Sequence, residues 1–199
     1  MPLTKVGIVN SALAKLGVDR ISSFTENVQA ARLANDLYDL KRDEVLRAHN
    51  WDFARQRAEL GALVDEASFG HLRKRFQLPS DCLKVLRMED RRTEFSVEAG
   101  ILFTNAASAR IWYTRRETDT SLYEASFVDA LATRLAVDFC IPLLQDRQYR
   151  QSLFEEYKFL LGVARTYDSQ QGTPDLTLIE TWTDARRGTG RPFGPGNLT

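Results

Sequence analysis

The hydrophobic pattern of this 199-residue chain changes period twice, and that change most narrows what the chain can fold into. From Thr4 to Leu16, the residues Val6, Ile8, Val9, Ala12, Leu13 and Leu16 form a broad helical stripe, closed by Gly17, a residue suited to a helix C-terminus. Ile21-Ser22-Ser23-Phe24 then reads as a crossover loop with two apolar anchors, and Thr25, Glu26 and Asn27 offer capping oxygens for the next helix. From Asn27 to about His49, Ala30, Ala31, Ala34, Leu37, Tyr38, Val45 and Ala48 recur at spacings of three and four without glycine or proline. This spacing predicts the longest helix, and its small N-terminal residues allow close approach to another helix.

Between Ala58 and Arg116 the period drops to two, and Gly61, Gly70, Pro79 and Gly100 punctuate short runs. Phe76-Gln77-Leu78-Pro79 is extended, because the residue before proline avoids the helical region. Strands are expected over 82–88, 94–98, 101–104 and 110–114, with Glu98-Ala99-Gly100 as a hairpin turn. The helical period returns after Asp119-Thr120-Ser121, with Phe127, Ala130, Leu131, Leu135, Ala136 and Phe139 on one face. Pro142 reads as a break. A last helix is predicted from about Asp146 to Thr166, carrying Tyr149, Leu153, Tyr157, Leu160, Leu161 and Ala164. The expected fold is therefore mainly α with a small β insertion. Two N-terminal helices (1–57) and two C-terminal helices (119–168) form a four-helix core around a small antiparallel sheet (58–118).

Residues 169–199 differ in kind, holding five of the eleven glycines and three of the six prolines with few apolar residues. Such a stretch cannot bury enough surface to fold by itself. Yet it keeps Leu176, Leu178, Ile179, Trp182 and Phe193, and Arg186, Arg187 and Arg191 are interleaved with the aromatics. Tryptophan and arginine are frequent interface anchors. The reading is an extended C-terminal arm that orders on a neighbour, with Leu176, Ile179, Trp182, Arg186, Arg187, Arg191 and Phe193 as partner-binding residues.

Charge and chemistry exclude several classes. Lys plus Arg and Asp plus Glu both number 27, giving zero formal net charge, which argues against a protein that coats DNA through bulk positive charge. Apolar runs are too short for a membrane span or secretory signal, so no membrane partner is expected and synthesis in a cytoplasm is. Cys82 and Cys140 sit among large apolar neighbours, a pattern of reduced, buried thiols. With only His49 and His71, no HExxH or CxxC-type spacing occurs, and no phosphate-binding loop fingerprint is present; Gly188-Thr189-Gly190 follows no strand. The adjacent acids Asp43-Glu44 and Glu155-Glu156 lie on predicted helices, where neighbours point about 100° apart. No catalytic residue, metal site or cofactor is expected, and the chain does not read as an enzyme.

Arg73-Lys74-Arg75 reads in two ways. The charges can protect a solvated edge strand from unwanted pairing, or they can form a basic patch facing a DNA channel or an acidic partner. Alternation puts Arg73 and Arg75 on one face and Lys74 on the other.

Several stretches together resemble a known family. Ala12-Leu13-Ala14-Lys15-Leu16-Gly17, then Ile21-Ser22-Ser23-Phe24, then a long helix ending Arg42-Asp43-Glu44-Val45-Leu46-Arg47-Ala48-His49-Asn50-Trp51-Asp52-Phe53-Ala54 resemble the tail tubular protein A family of short-tailed phages and prophages. The likeness continues through Phe69-Gly70, Phe76-Gln77-Leu78-Pro79-Ser80-Asp81-Cys82-Leu83-Lys84-Val85-Leu86, the hairpin at Glu98-Ala99-Gly100-Ile101-Leu102 and the paired C-terminal helices, covering roughly residues 3–168. Its most specific parts are Trp51-x-Phe53 and Leu78-Pro79-Ser80-Asp81, and it departs at Asp52, where asparagine is expected. The resemblance implies a structural virion protein at the head–tail interface, made in the bacterial host's cytoplasm. Such a subunit assembles as a ring, typically of twelve copies, between the portal protein and the tail nozzle or tail tube, with double-stranded DNA passing transiently through the lumen. The family has no catalytic residues to carry over. The adaptor of a long-tailed phage is a second reading of the same kind, and a DNA-binding or packaging-accessory module is the alternative of a different class.

Overall fold

Helix α1 (Lys5–Leu16) starts where the Thr4 hydroxyl accepts the Gly7 N–H at 3.0 Å, and it ends at Gly17, whose φ of 69° is left-handed. Helix α2 (Gln29–Ala48) follows, preceded by Val28 in extended conformation with no side-chain cap. The oxygens expected to cap it are used elsewhere: Asn27 accepts from Arg32, and Glu26 accepts from Ser22. These coordinates are a computed structural model, which describes residues 3–65 and 70–171. Within it, Met1–Arg165 form one compact unit.

After α2 the chain turns through a short 3-10 segment at Asp52–Ala54 and enters β1 (Arg55–Leu60). Five further strands follow: β2 (Lys74–Gln77), β3 (Cys82–Met88), β4 (Phe95–Glu98), β5 (Ile101–Thr104) and β6 (Ala109–Arg115). They make two antiparallel three-stranded sheets, ordered β1-β6-β3 and β2-β5-β4. The inner faces of both sheets share one core of Leu60, Phe76, Leu78, Met88, Leu102, Ala109, Ile111 and Tyr113. The β4–β5 hairpin closes through Ala99 (φ 48°) and Gly100 (φ 80°), the pair of positive φ values that lets a two-residue loop follow the strands' twist. The outer side of β2 is covered, because Leu63 N–H donates to the Arg75 carbonyl at 2.8 Å and Gln77 N–H to the Gly61 carbonyl at 3.2 Å.

Helices α3 (Ala125–Leu144) and α4 (Arg147–Gln171) complete the fold. The larger core lies between the helices and takes in Ile8, Leu13, Val45, Leu46, Trp51, Phe127, Leu131, Leu135, Phe139, Leu153 and Tyr157, together with Leu83 from β3. Asp146 begins α4 by accepting the Tyr149 N–H at 2.9 Å.

The expectation of a mainly α protein is wrong. About 48% helix and 21% strand, with two sheets in place of one, make this an α+β fold. The missed strand is β1, whose sequence Arg-Gln-Arg-Ala-Glu-Leu alternates correctly but places only Ala58 and Leu60 inward. With so little apolar contrast the period-two signal vanishes. The strand also straddles the boundary drawn at residue 57. Pro142 does not break the helix either: it lies inside α3, which ends three residues later at Gln145 in the left-handed region, its N–H donating to Ile141. Near a C-terminus proline removes one hydrogen bond and little else.

Two stability outcomes follow from this packing. Phe127→Ala removes a fully buried ring and is expected to cost about 3–5 kcal/mol in denaturant unfolding. Ala99→Asn, which accepts the left-handed backbone more readily, is expected to raise stability by about 0.5–1 kcal/mol in the same measurement.

Candidate functional site

The two most specific stretches of the resemblance both lie at joints. Trp51, 2% exposed, ends the turn out of α2 and donates its indole N–H to the Val45 carbonyl at 2.9 Å. Its ring meets Phe127 edge-on at 5.2 Å, Phe53 lies 5.1 Å from Phe127, and Tyr123 lies 4.7 Å from Phe127. Edge-to-face contacts of this kind add to what burial alone provides. Tyr123 donates to the Glu117 carbonyl at 2.9 Å, and burial pushes its hydroxyl up to about 12, so it stays a neutral donor. Aromatics from the first helical half and the second are thus interlocked. Asp52, at the departing position, receives the Arg55 guanidinium at 2.9 Å. A carboxylate adds opposite charge to that contact, where an amide oxygen would only accept the hydrogen bond.

Leu78-Pro79-Ser80-Asp81 forms the second joint, between β2 and β3. Cys82 N–H donates to the Pro79 carbonyl at 3.0 Å, Arg116 N–H to the Asp81 carbonyl at 2.7 Å, and the Tyr113 hydroxyl to Asp81 Oδ1 at 3.3 Å. One tight turn therefore fixes the end of β6.

A network of charges ties α2 to α3. Arg134 donates from Nε to Glu44 at 2.7 Å and from Nη1 to Asp138 at 2.9 Å, while Lys41 reaches Asp138 at 2.8 Å and Glu44 at 2.9 Å. Burial alone would raise both carboxyls; hydrogen bonds from the lysine and arginine overcome it and hold Asp138 and Glu44 below their ordinary values. Arg42, 4% exposed, is likewise enclosed by Asp39 and Asp43 at 2.6 and 2.7 Å, and Arg116 reaches Asp43 at 2.7 Å from the end of β6. Asp43 and Glu44, adjacent in sequence, therefore serve different partners.

Of the basic run, Arg73 precedes β2 and is exposed, while Lys74 and Arg75 are half-buried. Arg75 aligns with Phe103, and Lys74 with Thr104, so the two side chains occupy opposite faces of their sheet. The anchors assigned to the C-terminal arm (Leu176, Ile179, Trp182, Arg186, Arg187, Arg191 and Phe193) lie outside the described residues. Helix α4 extends to Gln171, past the start of that arm at residue 169.

Sequence reasoning missed the exposed rings of α4. Phe159 is 69% exposed and Phe154 38%, and both fall off the stripe of Leu153, Tyr157, Leu161 and Ala164 that faces the core. The signal was available, since a phenylalanine lying off an otherwise regular apolar stripe marks a second apolar surface.

Cys140 is buried and Cys82 half-buried; both are free, and burial pushes both thiols up, which keeps them protonated and unreactive. His71 pairs with Glu94 at 2.9 Å on the surface. Among the described residues no group of three or more His, Cys, Asp or Glu could hold a metal ion, and no helix is long and apolar enough to cross a membrane. No family model and no curated protein matches this chain.

The charge network predicts a pH dependence. A carboxyl held low in the folded state stabilises above its unfolded value, near pH 4, and that contribution is lost as pH falls through the lowered folded value. Asp138→Asn is expected to cost about 1–3 kcal/mol at pH 7 and to flatten the acid decline of unfolding free energy measured from pH 6 to 2.

Proposed function

We propose that this chain is a structural subunit of a phage virion, an adaptor that assembles as a ring between the portal and the tail nozzle or tube, enclosing part of the DNA path. The observation that carries the reading is the ordered run of motifs from Ala12 to Leu86 and on into the paired C-terminal helices, whose two most specific members, Trp51-x-Phe53 and Leu78-Pro79-Ser80-Asp81, are the joints of the fold.

Three further features support it. A ring subunit presents one face to one neighbour and a different face to the next, so it needs apolar side chains left outside its own core. Phe159 and Phe154 on α4 are such side chains. Neutral net charge suits a channel wall that DNA must pass without adhering, since each phosphate contact adds to affinity. The C-terminal segment, rich in proline and glycine yet carrying Trp182 and Phe193, suits a strap that contributes binding energy only once a portal surface is present.

The test is reconstitution. Purified chain mixed with portal rings from the same phage or prophage is expected to form closed rings seated on the portal in electron micrographs. A variant lacking residues 172–199 is expected to fold and remain in solution but to leave the portal bare. Full-length chain that never decorates portal rings would overturn the reading, and a truncated chain that still decorates them would remove the strap from it.

A further inference from the structure

One margin of the β2-β5-β4 sheet is open. In a two-residue hairpin the residues flanking the turn, here Glu98 and Ile101, form the hydrogen-bonded pair that closes it. Along β4 the residues therefore alternate: Ser96 and Glu98 bond to β5, while Phe95 and Val97 turn their N–H and C=O groups outward. The same alternation runs through the sheet, since on β2 it is Arg75 and Gln77 that meet Leu63 and Gly61. Among the described residues no backbone group pairs with those of Phe95 and Val97. Residues opposite one another share a face, and Val97 stands opposite the fully buried Leu102. Its side chain thus belongs to the inner face, yet it is 44% exposed. Phe95, on the same face, is half-buried against the sheet core. The core runs out uncovered at β4.

The other margins are less receptive. β2 already shares groups with Gly61 and Leu63, β1 bears the exposed charges Arg55, Arg57 and Glu59, which guard an edge, and β3 sends Leu83 into the helical core. A strand to fill the β4 margin exists in the chain's own sequence. In Leu176-Thr177-Leu178-Ile179-Glu180-Thr181-Trp182-Thr183, the β-branched residues Thr177, Ile179, Thr181 and Thr183 alternate with a face that carries Leu176, Leu178 and Trp182. This run lies outside the described residues, and four residues, 172–175, separate it from the end of α4. No other stretch beyond α4 alternates in this way.

We propose that residues 176–183 of one copy add to β4 of a neighbouring copy as a fourth strand of the β2-β5-β4 sheet. The added strand gives the outward N–H and C=O groups of Phe95 and Val97 their partners, and its face of Leu176, Leu178 and Trp182 closes over Val97. Main-chain bonds supply the affinity in such strand addition, and alternate side chains supply the specificity. Donor run and acceptor margin are different parts of one chain, so the pairing is head-to-tail, the kind of contact that can close a ring. The proposal rests on the reading that copies stand side by side on a portal, where each raises the effective concentration of the next. It leaves Arg186, Arg187, Arg191 and Phe193 to the portal itself.

The experiment uses the full chain without portal and a fluorescein-labelled peptide of residues 174–185, followed by anisotropy. Saturable binding is expected, with slowed hydrogen exchange centred on β4. Leu178→Pro with Ile179→Pro in the peptide removes two successive N–H groups, one of which faces β4 in either register, and is expected to weaken binding at least about tenfold. In the chain, Val97→Lys sets a charge on the inner side of the margin and is expected to weaken binding as much, whereas Ser96→Lys, with the same charge on the opposite face, is expected to change it by less than about twofold. Circular dichroism checks both chain variants, and the peptide pair decides the matter if Val97→Lys does not fold. At chain concentrations above the peptide's Kd, sedimentation is expected to show wild type associating beyond a dimer. The Val97→Lys chain and a chain carrying the two prolines are each expected to stay monomeric, and their equimolar mixture to stop at a dimer. The proposal is overturned if the peptide does not bind, if the prolines leave its binding unchanged, if the two lysine variants bind alike, or if protection falls outside β4. It is equally overturned if wild type stays monomeric, which would assign the run to its own chain's sheet, or if the proline chain associates like wild type, which would pair β4 with a second β4. None of these results bears on portal decoration. A chain that binds the peptide but leaves portals bare would strike the ring reading and keep the pairing of copies.

Discussion

The fold depends on holding together two helical halves that the chain separates with six strands. Helices α1 and α2 are complete before residue 50, and α3 begins only at Ala125, so nothing local brings them together. Loop closure across such a span is entropically costly, and the contacts that close it must be strong and specific. Two sets do this. Apolar burial around Phe127 supplies the energy, with Trp51 and Phe53 pressed on it from the end of α2. The Lys41–Glu44–Arg134–Asp138 network supplies the register, because four charges on two helices satisfy one another in a single alignment. The sheets hang from this closure: the chain enters β1 directly after the Trp51 turn, and Arg116, just past β6, is tied to Asp43 on α2.

How much of this was legible in the sequence varies with the contrast of the local pattern. The helices were readable because their stripes are long and strongly apolar, and the hairpin because Ala99-Gly100 interrupts two alternating runs. β1 was not, since only Ala58 and Leu60 face inward among otherwise polar and charged residues. Nor could one chain's pattern distribute the strands between two sheets. That partition is made by pairings distant in sequence, such as Arg57 with Trp112, and no local period encodes them. The same blindness covered the surface. Arg73-Lys74-Arg75 drew notice because its charges are contiguous, whereas Arg57, Arg87 and Trp112 come from three strands and become a cluster only after folding.

The functional reading combines these layers. The resemblance to tail tubular protein A supplies the proposed role, and the fold accounts for why its most specific residues are aromatic, turn-forming and buried or bonded rather than reactive. The proposed role would work through surfaces, and those seen here are of contrasting kinds: exposed rings on α4 and a sheet face where arginines flank Trp112. Separating apolar from charged contacts on different elements lets one subunit meet unlike neighbours without ambiguity.

The covering laid along β2 has its own consequence for how the chain can meet other strands. With Gly61 holding the Gln77 N–H and Leu63 the Arg75 carbonyl, that margin has fewer peptide groups left for a strand of another molecule to zip onto. Endless templated stacking is thereby hindered on that flank. Association there is left to side chains, whose shapes can specify where an assembly stops as well as where it starts.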